Sequence, residues 1–294
     1  MDQSSLILQV AIGGLATGAI YALVALGFNI VFKSTDAINF AQGEWVMAGG
    51  MIAAFLHQQA ALPLVILVPL AVVSVGVIGL LSDRLAVYPL RQPTPMLVTL
   101  ITIGVAIATK ALFMLTIGKT PMSLPSFSGT EAIPIGGATI HPQAIWIVVL
   151  MFVVMIGVHL FFERTLLGRA MKAAAADREA AAIVGINVSR TVMWALILAA
   201  SVGAIAGIII TPITLTSFNA GTVLGFKGFS AAMLGGLGNL PGALVGGLLL
   251  GLLEAFSAAF ISSQYKDAVA FVVLLFLLFF RPAGLLGRAQ IVKI

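Results

Sequence analysis

The sequence predicts an all-α, polytopic membrane protein that forms a single transmembrane permease domain over residues 1–294. Three observations support this fold class. Hydrophobic residues make up 61% of the chain and charged residues only 9%, which is far from the composition of a soluble globular protein. Uncharged runs of about 20 residues recur, and this is the length that a helix needs to cross a bilayer. Most charges lie in the short segments between these runs.

About eight transmembrane helices are expected, together with one short broken or re-entrant helix. The apolar runs that predict them lie at 6–32, 38–56, 62–82, 96–117, 142–162, 191–217, 225–254 and 264–280. The run at 225–254 is rich in glycine and is interrupted by Pro241 and Gly242. Because proline lacks a backbone donor and glycine loosens the chain, we expect a short helix, a break and then a full span.

Residues 163–190, called the charged segment below, form a sustained polar stretch between two apolar halves. The segment holds eight charged residues, of which five are basic. Basic loops favour the cytoplasmic side of a membrane. We therefore expect this segment to face the cytoplasm and to be exposed to water.

Alanines in the charged segment predict a surface helix over about 168–184, with Gly185 as a natural stop. On that helix Arg169, Lys172 and Glu179 share one face, and they lack an opposite charge at i+4 that would pair with them. Such charges fit a docking surface for a soluble partner. They fit equally well a solubilising helix that has no partner.

An inverted repeat is predicted, with a first half at about 6–117 and a second at about 191–281. Aligning 38–50 with 224–236 pairs several residues of the same type, namely Phe40 with Phe226, Met47 with Met233, Gly49 with Gly235 and Gly50 with Gly236. If the amino terminus is outside, most Lys and Arg fall inside, and the two aligned segments cross in opposite directions. Inverted repeats with interrupted helices are common in transporters.

Pairs of glycines four residues apart predict close contacts between helices. They are Gly14 with Gly18, Gly203 with Gly207, and Gly247 with Gly251. Small residues at this spacing let two helix backbones approach closely in a membrane.

Polar residues and helix breaks at membrane depth are the candidates for the translocation pathway. Glu44, Lys110 and Glu254 are ionisable residues within apolar runs, and burying a charge in hydrocarbon is costly. A structural role is the alternative for each of them. The full set of pathway candidates is Asn39, Gln42, Glu44, Met47, Gly235, Gly236, Asn239 and Pro241.

Catalytic and cofactor chemistry is not indicated. The chain has no cysteine and only three scattered histidines, so no metal site or cofactor is predicted. The residues Gly118, Lys119 and Thr120 resemble the end of a phosphate loop, but Phe113 stands where its first glycine belongs. The basic residues are spread over loops, so nucleic acid is not an expected partner. An enzyme is the least expected class. A passive channel is also less expected, because it would give the charged segment no function.

Six groups of motif residues are spread in order along nearly the full chain. They are Ile38-Asn39-Phe40-Ala41 with Gly43-Glu44; Tyr88-Pro89-Leu90-Arg91; Gly168-Arg169-Ala170 with Asp177 and Gly185-Ile186-Asn187; Ala231 to Gly238 with Pro241 and Gly242; Tyr265-Lys266-Asp267; and Arg281-Pro282 with Gly284, Leu285 and Gly287. Together these motifs resemble the permease subunits of branched-chain amino acid ABC importers, of the LivH type.

The resemblance implies a type II ABC importer-like permease in the bacterial inner (cytoplasmic) membrane, crossing the lipid bilayer several times. It implies as partners a second, LivM-like permease, two ABC ATPase subunits that hydrolyse the ATP, and a periplasmic substrate-binding protein. It also implies that the charged segment couples to an ATPase. The residues expected to do so are Gly168, Arg169, Lys172, Asp177, Arg178, Glu179 and Gly185.

The solute is less well indicated than the family. Gln42 stands where the motif often has His, and related importers carry amides, urea or aromatic acids as well as branched-chain amino acids. An ion-coupled secondary transporter with inverted repeats is the main alternative. The energy source, ATP or an ion gradient, distinguishes the two classes.

Overall fold

The computed structural model describes residues 3–90 and 94–287, and Arg91 of the sequence motif lies outside these residues. The described part of the chain is almost entirely helical. Its α-helices are α1 (Gln3–Thr35), α2 (Gln42–Ala60), α3 (Leu64–Ser82), α4 (Pro95–Thr116), α5 (Pro142–Arg164), α6 (Leu166–Ala176), α7 (Arg178–Ile183), α8 (Val188–Thr214), α9 (Ala220–Gly235), α10 (Leu240–Phe260) and α11 (Lys266–Phe280). A π-helical turn, Asp83–Val87, extends α3. Two short antiparallel strands, β1 (Ile133–Ile135) and β2 (Ala138–Ile140), form a hairpin between α4 and α5.

Six helices of the described chain are long and apolar enough to cross a membrane: α1, α3 with its π-helical turn, α4, α5, α8 and α10. The predicted count of about eight spans is therefore slightly off. The remaining candidates fall short for physical reasons. Helices α9 and α11 have 16 and 15 residues, fewer than the roughly 20 that a bilayer requires. Helix α2 has 19 residues, but several of them are polar.

The two ends of α1 identify two opposite ends of the helical bundle. Near the start of α1, the Gln9 amide donates to the Thr139 carbonyl at 3.1 Å, which ties this end to the β-hairpin. At the other end of α1, the Arg178 guanidinium donates to the Thr35 carbonyl at 2.8 Å. The hairpin and the charged segment thus lie at opposite ends. On the expectation that basic segments face the cytoplasm, the end that carries the charged segment is called the cytoplasmic end below.

The centre of the bundle is the contact between α1 and α10, where glycines replace a layer of side chains. A Cβ added to Gly18 would lie 2.8 Å from the Leu248 Cα, and one added to Gly14 would lie 3.1 Å from the Leu252 Cα. Gly203 and Gly207 of α8 lie in the same way against α2. The glycine pairs found in the sequence are therefore sites of close backbone approach.

Helices α2 and α9 begin inside the bundle and run to opposite ends. Their starts touch, because a Cβ added to Gly225 would lie 3.2 Å from the Gly43 Cα. The far end of α2 packs near Met122 and Leu124, close to the hairpin end. The far end of α9 packs against the start of α10, where the Asn239 carbonyl accepts from the Asn29 amide at 2.9 Å. Two helices that start within the bundle and run in opposite directions fit the inverted repeat expected from the sequence.

The register of the repeat differs from the sequence alignment. Helix α2 begins at Gln42 and α9 at Ala220, whereas the alignment of 38–50 with 224–236 shifts the second copy by about two helical turns. The alignment followed matching Phe, Met and Gly residues. In the structure, the shared feature is the position where each helix starts.

A buried cluster of polar side chains joins α9 to three other helices. The Lys227 ammonium contacts the Glu254 carboxylate at 2.9 Å and the Asp267 carboxylate at 2.8 Å. The Tyr21 hydroxyl donates to the same Glu254 carboxylate at 2.7 Å. The sequence marked Glu254 as an ionisable residue within an apolar run but did not indicate that Lys227 is its partner. The structure instead pairs them across α1, α9, α10 and α11.

Replacing Gly18 with Ala should destabilise the protein, since the added methyl group would overlap the α10 backbone. Overpacking of this kind costs about 1–3 kcal/mol. Gly13 on the same helix has nothing within 4 Å of an added Cβ, so Gly13→Ala is the matched control. Thermal unfolding of both variants in detergent measures the difference. Equal midpoints for the two variants would contradict the close α1–α10 contact.

Removing the Lys227 charge should destabilise the protein more strongly, because it leaves the buried Glu254 carboxylate without its cation. Breaking a buried ion pair from one side costs about 3–5 kcal/mol. We expect Lys227→Met to show this loss in denaturant-induced unfolding. The double variant Lys227→Met with Glu254→Gln should recover much of it. A double variant no more stable than the single one would show that the two charges are not coupled.

Candidate functional site

The charged segment folds as two short helices, and the predicted single helix over 168–184 is wrong. Helix α6 ends at Ala176 and α7 begins at Arg178. The break lies at Asp177, whose carboxylate accepts from the Ala180 N–H at 2.9 Å. An Asp side chain that caps the first turn of a new helix competes with continuation of the preceding one.

Charges of the segment are partly paired, which corrects the expectation that they lack partners. The Lys172 ammonium contacts the Glu163 carboxylate at 2.8 Å, a partner nine residues away that an i+4 search does not find. Arg178 donates to the Thr35 carbonyl at the end of α1. Arg169, Asp177 and Glu179 are exposed to solvent.

Both glycines of the predicted coupling set have geometric roles. Gly168 is buried, and a Cβ added there would lie 2.6 Å from the Phe162 Cα. Gly185 ends α7 with φ +87°, a left-handed conformation that glycine adopts without strain. After it, the Ile186 N–H donates to the Ala181 carbonyl at 2.9 Å. These two glycines determine the backbone path of the charged segment, and they contribute no side chain to its exposed surface.

Three large apolar side chains on the charged segment were missed by reasoning from its charges. Leu166, Ile183 and Val184 are exposed by 80%, 85% and 74%. Together with Arg169 and Glu179 they give the cytoplasmic end a mixed apolar and charged surface. Exposed apolar area, where it is contiguous, marks contact sites with proteins or with the membrane. The sequence signal that could have identified these three side chains is the occurrence of large apolar residues inside a polar stretch.

Arg178 also acts on Asp36, the residue that follows α1. Asp36 has φ +57°, so it ends the helix in the left-handed region. Burial raises the pKa of the Asp36 carboxyl, and the nearby Arg178 charge opposes this rise. Through Thr35 and Asp36, the charged segment is held to the cytoplasmic end of α1.

The predicted pathway residues near the start of α2 are all buried. The side-chain oxygen of Asn39 accepts from the Ala41 N–H at 3.1 Å. The Gln42 amide donates to the Ala199 carbonyl at 3.1 Å, and Met47 is 1% exposed. Asn39, Gln42 and Met47 therefore stabilise the packing of α2. Glu44 differs from them because it borders a cavity.

This space, called the Glu44 cavity below, has a volume of about 530 Å³. It lies where α2 and α9 begin and where α4 passes beside them. The Glu44 carboxylate accepts from the Thr222 hydroxyl at 2.9 Å, and the Lys110 ammonium donates to the same hydroxyl oxygen at 3.3 Å. The residues that line the cavity are Phe28, Phe40, Glu44, Ile103, Ala106, Ile107, Lys110, Gly221, Thr222, Gly225 and Phe226.

The other pathway candidates lie at the cytoplasmic end, away from Glu44. Gly235 packs against Gly242, and Gly236 has φ +106° at the end of α9. The Asn239 side chain accepts from the Gly242 N–H at 3.1 Å and donates to the Leu286 carbonyl at 2.6 Å. Pro241 occupies the first turn of α10, where proline is tolerated. The predicted pathway residues thus fall into two groups. Gly235, Gly236, Asn239 and Pro241 form the junction between α9 and α10, whereas Asn39, Gln42, Glu44 and Met47 lie near the start of α2.

Metal ligation finds no support in the described part of the chain, where no group of three His, Asp or Glu side chains converges. Thr222 of the Glu44 cavity was missed from the sequence, since a single Thr between two predicted apolar runs carries no pattern. Lys110 was recognised only by the cost of placing a charge in an apolar run.

Comparison with known proteins gives a consistent family. Residues 10–278 match the family model described as branched-chain amino acid transport system / permease component. The chain is 34% identical to the high-affinity branched-chain amino acid transport system permease protein BraD of Pseudomonas aeruginosa, over 98% of each chain. It is 32% identical to the permease protein LivH of Escherichia coli, over 100% of this chain and 99% of LivH.

A solved structure shares the fold. PsaBC from Streptococcus pneumoniae in complex with Fab aligns with a TM-score of 0.52 and 10% identity, over 92% of this chain and 91% of that one. With six long apolar helices, the protein is a multi-pass membrane protein. It is a permease subunit of an ABC importer rather than an enzyme. The chain belongs to the family of permease components of branched-chain amino acid transport systems.

Proposed function

We propose that this protein forms half of a heterodimeric pathway that carries branched-chain amino acids, or a related amide, urea or aromatic acid, across the bacterial inner membrane. The observation that carries the proposal is similarity over the whole chain to permeases named for branched-chain amino acid transport. A branched-chain amino acid is favoured among these solutes for that reason. The touching starts of α2 and α9 support a pathway within the bundle, as in other transporters with interrupted helices.

The partners in this proposal are a second, LivM-like permease, two ABC ATPase subunits and a periplasmic substrate-binding protein. This chain does not supply the nucleotide site in the proposal. Gly118, Lys119 and Thr120 follow the end of helix α4, whereas a phosphate loop follows a strand and opens a helix. ATP hydrolysis is therefore assigned to the ATPase subunits.

Coupling to an ATPase is assigned to the exposed surface of the charged segment. Arg169 and Glu179 supply its charges, and Leu166, Ile183 and Val184 supply its apolar area. Movement of α7 would reach α1 through the Arg178 contact with Thr35. Asp177 keeps α6 and α7 as separate helices, and Lys172 fastens α6 to α5 through Glu163.

Purification of the protein from its native membrane in mild detergent tests the partners. We expect a second permease and ATPase subunits with phosphate-loop motifs to remain bound, and uptake of labelled leucine by the cells to stop when ATP is depleted. Leucine uptake that survives ATP depletion, together with recovery of this chain alone, would overturn the proposed partners and coupling.

Substitutions on the exposed coupling surface should separate the ATPase from the permease. We expect Arg169→Glu combined with Ile183→Asp to reduce leucine uptake at least tenfold and to abolish co-purification of the ATPase subunits. The physical reason is loss of a complementary charge and of apolar contact area. Membrane levels of the protein should not change, since both side chains are exposed.

Lys119→Glu is the matched control for this charge reversal, because Lys119 is exposed in the loop between α4 and α5 at the opposite end of the bundle. It should retain uptake and ATPase binding. If the double variant on the charged segment behaves like this control, the coupling assignment is wrong.

A further inference from the structure

We propose that the Glu44 cavity is a substrate-contact site of the transport pathway, and that it binds a zwitterionic α-amino acid with an apolar side chain. This inference rests on the proposed function, since it assigns a binding site to the solute that the pathway carries. Three properties of the cavity lead to it: a buried carboxylate at its border, a nearby ammonium group and apolar walls.

The carboxylate belongs to Glu44, which is 4% exposed. Its Oε1 accepts from the Thr222 hydroxyl, and its Oε2 is enclosed beside Gly221 without a hydrogen-bond partner. Burying a carboxylate is costly unless a cation pairs with it. Glu44 lies in the first turn of α2, where the helix dipole favours a negative charge. Because Glu44 borders the cavity, a ligand ammonium group there would pair with its carboxylate.

The ammonium group belongs to Lys110 of α4. Its Nζ donates to the Thr222 hydroxyl oxygen at 3.3 Å, and an ammonium has three donors. Among the described residues, no carboxylate lies within ion-pair distance of Lys110. Thr222 therefore lies between a cation and an anion that are too far apart for a direct ion pair. A ligand with one group of each charge would pair with both.

Apolar side chains form most of the remaining wall. They are Phe28, Phe40, Ile103, Ala106, Ile107 and Phe226. The volume of about 530 Å³ falls within the range of about 300–1,000 Å³ that is usual for small-molecule sites. These walls suit an aliphatic side chain better than a polar one, because they offer it no hydrogen-bond partner.

The face on which the cavity opens is not suited to lipid. Ile107 and Phe226 are exposed by 66% and 56% at its rim. Behind them lie two charged groups and the non-helical backbone that leads into α2. Charged groups and irregular backbone at membrane depth are tolerated only where they face protein or water. This face therefore borders the pathway or the second permease, and a solute reaches the cavity from there.

Equilibrium binding to the purified importer tests the site. The permease pair with its ATPase subunits is placed in nanodiscs without the binding protein, so that affinity reports on the permease alone. Loss of one charge-assisted contact weakens binding by about tenfold to a hundredfold. We expect Glu44→Gln and Lys110→Met each to weaken binding of labelled leucine by such a factor. Lys119→Met and Glu131→Gln, at exposed positions of the loop between α4 and α5, should bind leucine as the wild type does.

Two leucine analogues distinguish ligand contact from a structural role of the same residues. Isocaproate lacks the ammonium group, so Glu44→Gln should leave its affinity unchanged. Isoamylamine lacks the carboxylate, so Lys110→Met should leave its affinity unchanged. If the residues only tie the helices together, each variant would change the affinities for leucine and both analogues by the same factor, and that result would overturn the proposal.

Leucine affinities of both variants equal to that of the wild type would also overturn the site, while uptake by the wild-type importer would leave the proposed function intact. Uptake by the wild-type importer of an amide, urea or aromatic acid in place of a branched-chain amino acid would overturn this site alone, and uptake of none of these solutes would overturn the proposed function as well. Because uptake by the wild type is measured before any variant, the two failures are distinguishable.

Discussion

The fold depends on satisfying the backbone where helices start inside the bundle. The non-helical residues before α2 have N–H groups that no helix bonds, and hydrocarbon offers them no partner. Side chains of α4 accept them: the Ile38 N–H donates to Thr99 at 3.1 Å and the Phe40 N–H donates to Thr102 at 3.0 Å. Helix α4 is thus both a membrane span and a support for the break. The same helix carries Lys110, so the support and the charge of the cavity are positioned together.

The fold class and the membrane segments could be predicted from the sequence because hydropathy and length follow directly from the bilayer. The close contacts of Gly18 and Gly247 were also predictable, since glycine spacing reports backbone approach. The pairing of Lys227 with Glu254 was not. Their contact depends on how α9 and α10 pack around α1, and neither residue carries a local pattern that specifies the other.

The candidate site was predicted in part. Glu44 stood out because an ionisable residue in an apolar run is costly to bury, and the motif around it resembled a transporter family. Its neighbours Asn39, Gln42 and Met47 looked equivalent in sequence, yet the structure buries them in helix packing. What separates Glu44 from them is the orientation of one side chain toward the start of α9 and the part of α4 that carries Lys110. Such an orientation depends on tertiary structure, which the pattern of residue types does not contain.

The glycine contact between α1 and α10 also limits how the bundle moves. With the Gly18 Cα facing the backbone of Leu248, no layer of flexible side chains lies between the two helices to be rearranged. Sliding or tilting one against the other would require backbone atoms to separate and leave a void, which close-packed interiors resist. The α1–α10 pair therefore resists relative motion, and we expect changes of shape in the other helices around it.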